Sequence, residues 1–69
     1  MKRVDIDYDG EHYSVAGREL QDVMDEVARG LDSGKTAWLE VNSGEGRVRT
    51  AVLALTPGVS IALSAAHDD

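Results

Sequence analysis

One segment of the chain carries a sustained helical period, and it limits what everything else can do. In Arg18 to Asp32, RELQDVMDEVARGLD, the apolar residues Leu20, Val23, Met24, Val27 and Leu31 recur at i, i+3, i+4, i+7 and i+11. That spacing predicts a helix over about 18–32 with one apolar stripe. The other segments read as short strands and tight turns. A single helix must therefore cover the core face of every strand.

The N-terminal segment supplies the firmest register. Val4, Ile6 and Tyr8 alternate with Asp5 and Asp7, and Tyr13 and Val15 alternate within Glu11 to Ala16. Asp9-Gly10 lies between the two runs. A two-residue type I′ loop needs positive φ at both positions, which Asp-Gly tolerates, so the pair reads as a hairpin. The register then sets Asp7 against His12, Ile6 against Tyr13 and Val4 against Val15, with the apolar pairs on one face.

Gly17 ends the second strand and can serve as the helix N-cap. Glu19 suits the first helical turn, and Asp25 and Arg29 are spaced as an i, i+4 pair. Gly34 is the expected stop, leaving Gly30 as an internal weak point worth about 1 kcal/mol against alanine. Further strands are expected over 36–43, 47–56 and 59–64, separated by the turns at Gly44-Glu45-Gly46 and Pro57-Gly58. Ala65 to Asp69 reads as a frayed tail. With the first two strands at about 2–8 and 11–16, residues 1–69 form one α+β domain. It is a two-layer ββαβββ antiparallel sheet with one helix on one face, β-grasp-like in arrangement. Strand order is not determined.

Register decides which residues are left outside. Pairing Asn42 with Arg47 sets Glu40 against Arg49, Val41 against Val48 and Ala37 against Val52. Treating Pro57-Gly58 as a two-residue loop sets Ala54 against Ile61 and Val52 against Leu63. The core face is then Val48, Val52, Ala54, Ile61 and Leu63. Leu53 and Leu55 fall on the opposite face beside Trp38, Ala51 and Ala62, an apolar cluster that nothing in the chain covers. The competing possibility is a β-bulge near Thr50, a polar residue on that expected core face. A bulge there would turn Leu53 and Leu55 inward.

Motifs with chemical meaning are weak. DIDYDG, Asp5 to Gly10, begins like a calcium loop, but residue 16, where a bidentate acid is required, is Ala16. SGKT, Ser33 to Thr36, resembles the tail of a phosphate-binding loop, but it follows a helix and precedes a strand, the reverse of the required order. His12 and His67 have no serine or acid spaced for a triad or a zinc site. Arg47 and Arg49 beside the Gly44 to Gly46 turn can hold an anion, unless Glu40 and nearby aspartates neutralise them. Glu19, Asp22, Asp25 and Glu26 read as a solvated helix face.

The runs WLEVNSGEGR, Trp38 to Arg47, and LTPGVSIAL, Leu55 to Leu63, resemble small domains of actinobacterial proteins. The arginine-, alanine- and valine-rich, lysine-poor composition agrees with such a source. The resemblance implies no activity and transfers no functional residues.

Composition narrows the function classes. Thirteen acids against seven bases give a net charge of -6, which disfavours nucleic acid as a partner. The absence of cysteine excludes disulfides and thiolate metal sites. Apolar runs are too short for a membrane span and no signal peptide is recognisable, so a cytoplasmic location is expected. No cofactor and no metal ligand set is expected, and no catalytic residues are assignable, so the chain reads as a non-enzyme. The expected function is a protein-interaction module, self-association included, that works through Trp38, Leu53 and Leu55 with a rim of Arg47, Arg49 and Glu40. The alternative is a small-ligand or anion-binding protein using Arg47, Arg49 and the 44–46 turn.

Overall fold

A computed structural model describes residues 2–44 and 49–67. The element order is β1 (Lys2–Tyr8), β2 (Glu11–Ala16), α1 (Leu20–Asp32), β3 (Ala37–Asn42), β4 (Thr50–Leu55) and β5 (Ile61–His67). The strands form one five-stranded antiparallel sheet in the order β4-β3-β2-β1-β5, with the helix packed on it.

The β1/β2 hairpin forms in the register expected from Asp9-Gly10, with φ of 50° at Asp9 and 87° at Gly10. The calcium-loop motif is thereby accounted for as a strand and its turn. Gly17 corrects an expectation. Its φ is +76° and its N–H donates to the Lys2 carbonyl, so it closes β2 and does not cap the helix. Glu19 occupies the N-cap position without a side-chain cap. Its carboxylate instead pairs with Lys2 Nζ. At the other end Ser33 is the C-cap and Gly34 follows with φ +75°, the left-handed stop expected there. The Ser33 hydroxyl donates to the Gly30 carbonyl at 2.8 Å.

The Pro57-Gly58 turn forms, with the Val59 N–H donating to the Thr56 carbonyl at 3.1 Å and Gly58 at φ +87°. It does not make a β4/β5 hairpin. β5 pairs with β1, Ile6 facing Leu63 and Tyr8 facing Ile61, and continues to His67 where a frayed tail was expected. A type II turn has the wrong twist for a tight hairpin and splays its flanking strands. β5 is thereby free to add to the open edge of β1.

This connection bends the sheet. In a flat sheet the two edge strands stand about 19 Å apart, four spacings of 4.8 Å. The link from Leu55 to Ile61 contains a turn whose ends lie within about 7 Å, so it spans less than that. The sheet accordingly curls. β2 and β3 share only the Ser14–Asn42 pair before they diverge, and the Tyr8 hydroxyl donates to the Ala54 carbonyl at 2.7 Å, joining β1 to β4 across the interior. Tyr8 also meets Tyr13 edge-on at 6.5 Å.

The helix packs against β1, β3, β4 and β5. The buried core is Val4, Ile6, Leu39, Val41, Leu53 and Leu55 from the sheet, with Val23 and Val27 from the helix. Leu20 and Leu31 pack at its margin, while Met24, expected within the stripe, is 44% exposed. Gly30 takes the contact position in the last helical turn. A Cβ there would lie 2.9 Å from Leu55 Cδ1 and 3.0 Å from the Ala37 Cβ. Leu55 Cδ1 can rotate away, but Ala37 Cβ moves only with its backbone. Helix propensity favours Gly30→Ala by about 1 kcal/mol, whereas overpacking costs about 1–3 kcal/mol. The variant should lose about 1 kcal/mol in urea unfolding; a gain would show that the helix does not approach β3 and β4 this closely.

Candidate interaction face

The face depends on how β4 is set against β3. Observed partners are Ala37–Leu55, Trp38–Ala54, Leu39–Leu53, Glu40–Val52, Val41–Ala51 and Asn42–Thr50. The Ser43 N–H donates to the Arg49 carbonyl at 2.8 Å, extending the same ladder. Relative to the expected Asn42–Arg47 pairing, β4 is displaced by three residues. Side chains alternate along a strand, so an odd displacement exchanges its two faces.

Leu53 and Leu55 are therefore core residues, 4% and 0% exposed, and not part of an outer surface. Val52 and Trp38 take the outer positions, 55% and 60% exposed. A bulge is not needed: the shift of register alone turns the leucines in. Burying two leucines in place of Val52 and Ala54 removes more apolar area from water. The loop side also favours it. Asn42 Oδ1 accepts from the Arg49 N–H at 2.7 Å and the Gly44 N–H at 3.2 Å, and its Nδ2 donates to the Gly44 carbonyl. One side chain thus ties both ends of the connection.

Of the other expected site residues, Glu40 lies on the outer face opposite Val52, not opposite Arg49. Arg49 is exposed but pairs with Ser43 at the loop end of the ribbon. It stands about 16 Å along β4 from Ala54, the partner of Trp38, so it does not rim the aromatic. Arg47 lies outside the described residues, as do Val48, Glu45 and Gly46. Val52 was the residue missed. The polarity of Thr50 was its available signal, because Thr50 and Val52 share one side of the strand.

A second outer region lies where β2 and β3 diverge, a groove of about 620 Å³ lined by Arg3, Asp5, His12, Ser14 and Asn42 among others. Its polar side chains face one another. Arg3 Nε lies 3.1 Å from Asp5, and the His12 ring lies 3.6 Å from Asp5 and 3.4 Å from Asp7. Among the described residues, no three histidine or carboxylate groups converge in a way that could hold a metal ion. At the start of the helix Arg18 pairs with Asp22 at 2.8 Å and with Glu26 at 2.7 Å. The Asp22 hydrogen bond is the largest cause raising the guanidinium pKa, with Glu26 adding to it. This pair network orders the acidic helix face, and Asp25 accepts from Gln21 at 2.9 Å.

No family model, curated protein or solved structure matches the chain. No described helix is long and apolar enough to cross a membrane.

The two faces of β4 make opposite demands on substitution. Leu53→Ala should cost about 2–5 kcal/mol in urea unfolding, through lost burial and a cavity. Val52→Ala should stay within about 0.5 kcal/mol. Equal losses at the two positions would contradict the observed register.

Proposed function

We propose that the chain is a non-enzymatic protein-interaction module whose working surface is the outer face of the β3–β4 ribbon. The observation behind this reading is the joint exposure of Trp38 and Val52 on adjacent strands, with Glu40 between and beside them. An exposed tryptophan with an apolar neighbour and a charged flank has the composition of a binding hot spot. The rest of the chain supplies rigidity: the helix and the buried halves of β3 and β4 hold the ribbon from behind. The small-ligand alternative through Arg47 and Arg49 has less support. The described polar groups at that end, Asn42, Ser43 and the Arg49 backbone, are engaged with one another.

Photo-cross-linking tests the reading. A benzophenone amino acid at position 38 should give discrete protein adducts in the native cell, and excess wild-type protein should compete them away while Trp38→Ser does not. The same probe at Asp25, on the exposed helix face, should not give them. Indistinguishable adducts from the two positions would remove the ribbon face as the working surface.

A further inference from the structure

β4 pairs with β3 on one side only, and it is an edge of the sheet. In an antiparallel ladder alternate residues exchange hydrogen bonds with the partner strand, while those between direct their N–H and C=O the other way. The Ser43–Arg49 bond places Ala51, Leu53 and Leu55 in the bonded set with β3. Thr50, Val52 and Ala54 are then directed outward. The Tyr8 hydroxyl confirms this at one of them by donating to the Ala54 carbonyl. Thr50 and Val52 remain, two adjacent outward positions that no described strand engages.

Edges of this kind are normally blunted by lysine, proline, an inward charge or a cover. β4, TAVLAL, contains none of those residues. The other edge, β5, is different. Leu20 and Met24 of the helix line a cleft with its Ala65.

We propose that this edge pairs with the same edge of a second copy of the chain. The inference deepens the reading of the β3–β4 ribbon as the interaction surface and rests on it. A second copy fits this edge by symmetry. A two-fold axis through Ala51 sets Thr50 of each copy opposite Val52 of the other, so the two open residues satisfy each other completely. Four backbone hydrogen bonds result, two at each Thr50–Val52 pair. Ala51 meets Ala51 at the axis, where closely spaced strands need small side chains. Closed two-fold pairing of one patch with itself is the commonest form of assembly. No charged residue of this acidic chain lies in β4, so the pairing brings no like charges into the shared ladder. It also extends the outer face into a four-stranded surface that carries Trp38 and Val52 from both copies.

Amide hydrogen exchange and sedimentation equilibrium on the whole chain test the pairing together. In the monomer no described strand accepts from the Thr50 and Val52 amides, whereas those of Ala51 and Leu53 are already bonded to β3. Raising the protein from micromolar to millimolar should slow exchange at Thr50 and Val52 while the mass rises towards twice 7.4 kDa. Val52→Pro removes only an outward N–H, so it should retain the fold and weaken dimerisation by at least about 10-fold. A monomer at millimolar concentration overturns the proposal. So does a dimer whose Thr50 and Val52 amides still exchange fast. Should Val52→Pro fail to fold, the wild-type exchange pattern decides alone. Position-38 adducts that the wild-type chain gives while it remains monomeric leave the ribbon reading intact, and if the exchange test has also failed, only the edge pairing falls. Protected edge amides without any position-38 adduct have the opposite meaning.

Discussion

The register between β3 and β4 decides which residues of the ribbon are buried and which form its outer face. A strand has two faces, and a displacement by any odd number of residues exchanges them. Here the displacement puts Leu53 and Leu55 against Leu39 and Ala37 in the interior and leaves Val52 and Trp38 outside. Two effects act in the same direction. The leucines contribute more buried apolar area than Val52 and Ala54 would, and the Asn42 amide gathers the backbone of Gly44 and Arg49 at the loop end. Neither requires distortion of the strand.

The interior then follows from how one short helix covers a five-stranded sheet by packing on β1, β3, β4 and β5. The curl of the sheet brings β4 back towards β1, where Tyr8 reaches the Ala54 carbonyl. Val23 and Val27 fill the space that remains, and Gly30 lets the last turn sit directly on Ala37 and Leu55. The glycine that looks like a flaw in an isolated helix is a condition for close packing in the folded chain. Small domains bury a limited fraction of their surface, so such contacts weigh heavily.

What could be read from the residues alone was what local chemistry determines. Asp9-Gly10 specifies its hairpin because few residue pairs accept two positive φ values, and the helical stripe is visible because its period is sustained. Gly34 marked the helix end for the same kind of reason. The face of β4 was not legible in this way. AVLAL presents apolar residues at every position, so alternation carries no direction, and the flanking polar residues disagree, Arg47 and Arg49 falling on one face and Thr50 and Thr56 on the other. Strand order was equally hidden. Pro57-Gly58 reads as a turn and is one, but a type II turn does not bring its flanking strands together, and β5 found its partner far away in the sequence. The candidate site inherited the register error: Trp38 and Glu40 stood on the expected face, whereas Leu53 and Leu55 stood on the wrong one. Arg49 proved to lie at the other end of the ribbon.

Interstrand proton contacts test the register most directly. Residues in non-hydrogen-bonded antiparallel pairs bring their Cα atoms to about 4.5 Å, close enough for a strong Hα–Hα nuclear Overhauser effect. The structure predicts such effects for Trp38 with Ala54 and for Glu40 with Val52. Effects linking Trp38 with Ala51 and Glu40 with Arg49 would contradict it, return Leu53 and Leu55 to the outer face, and remove the basis for the surface described above.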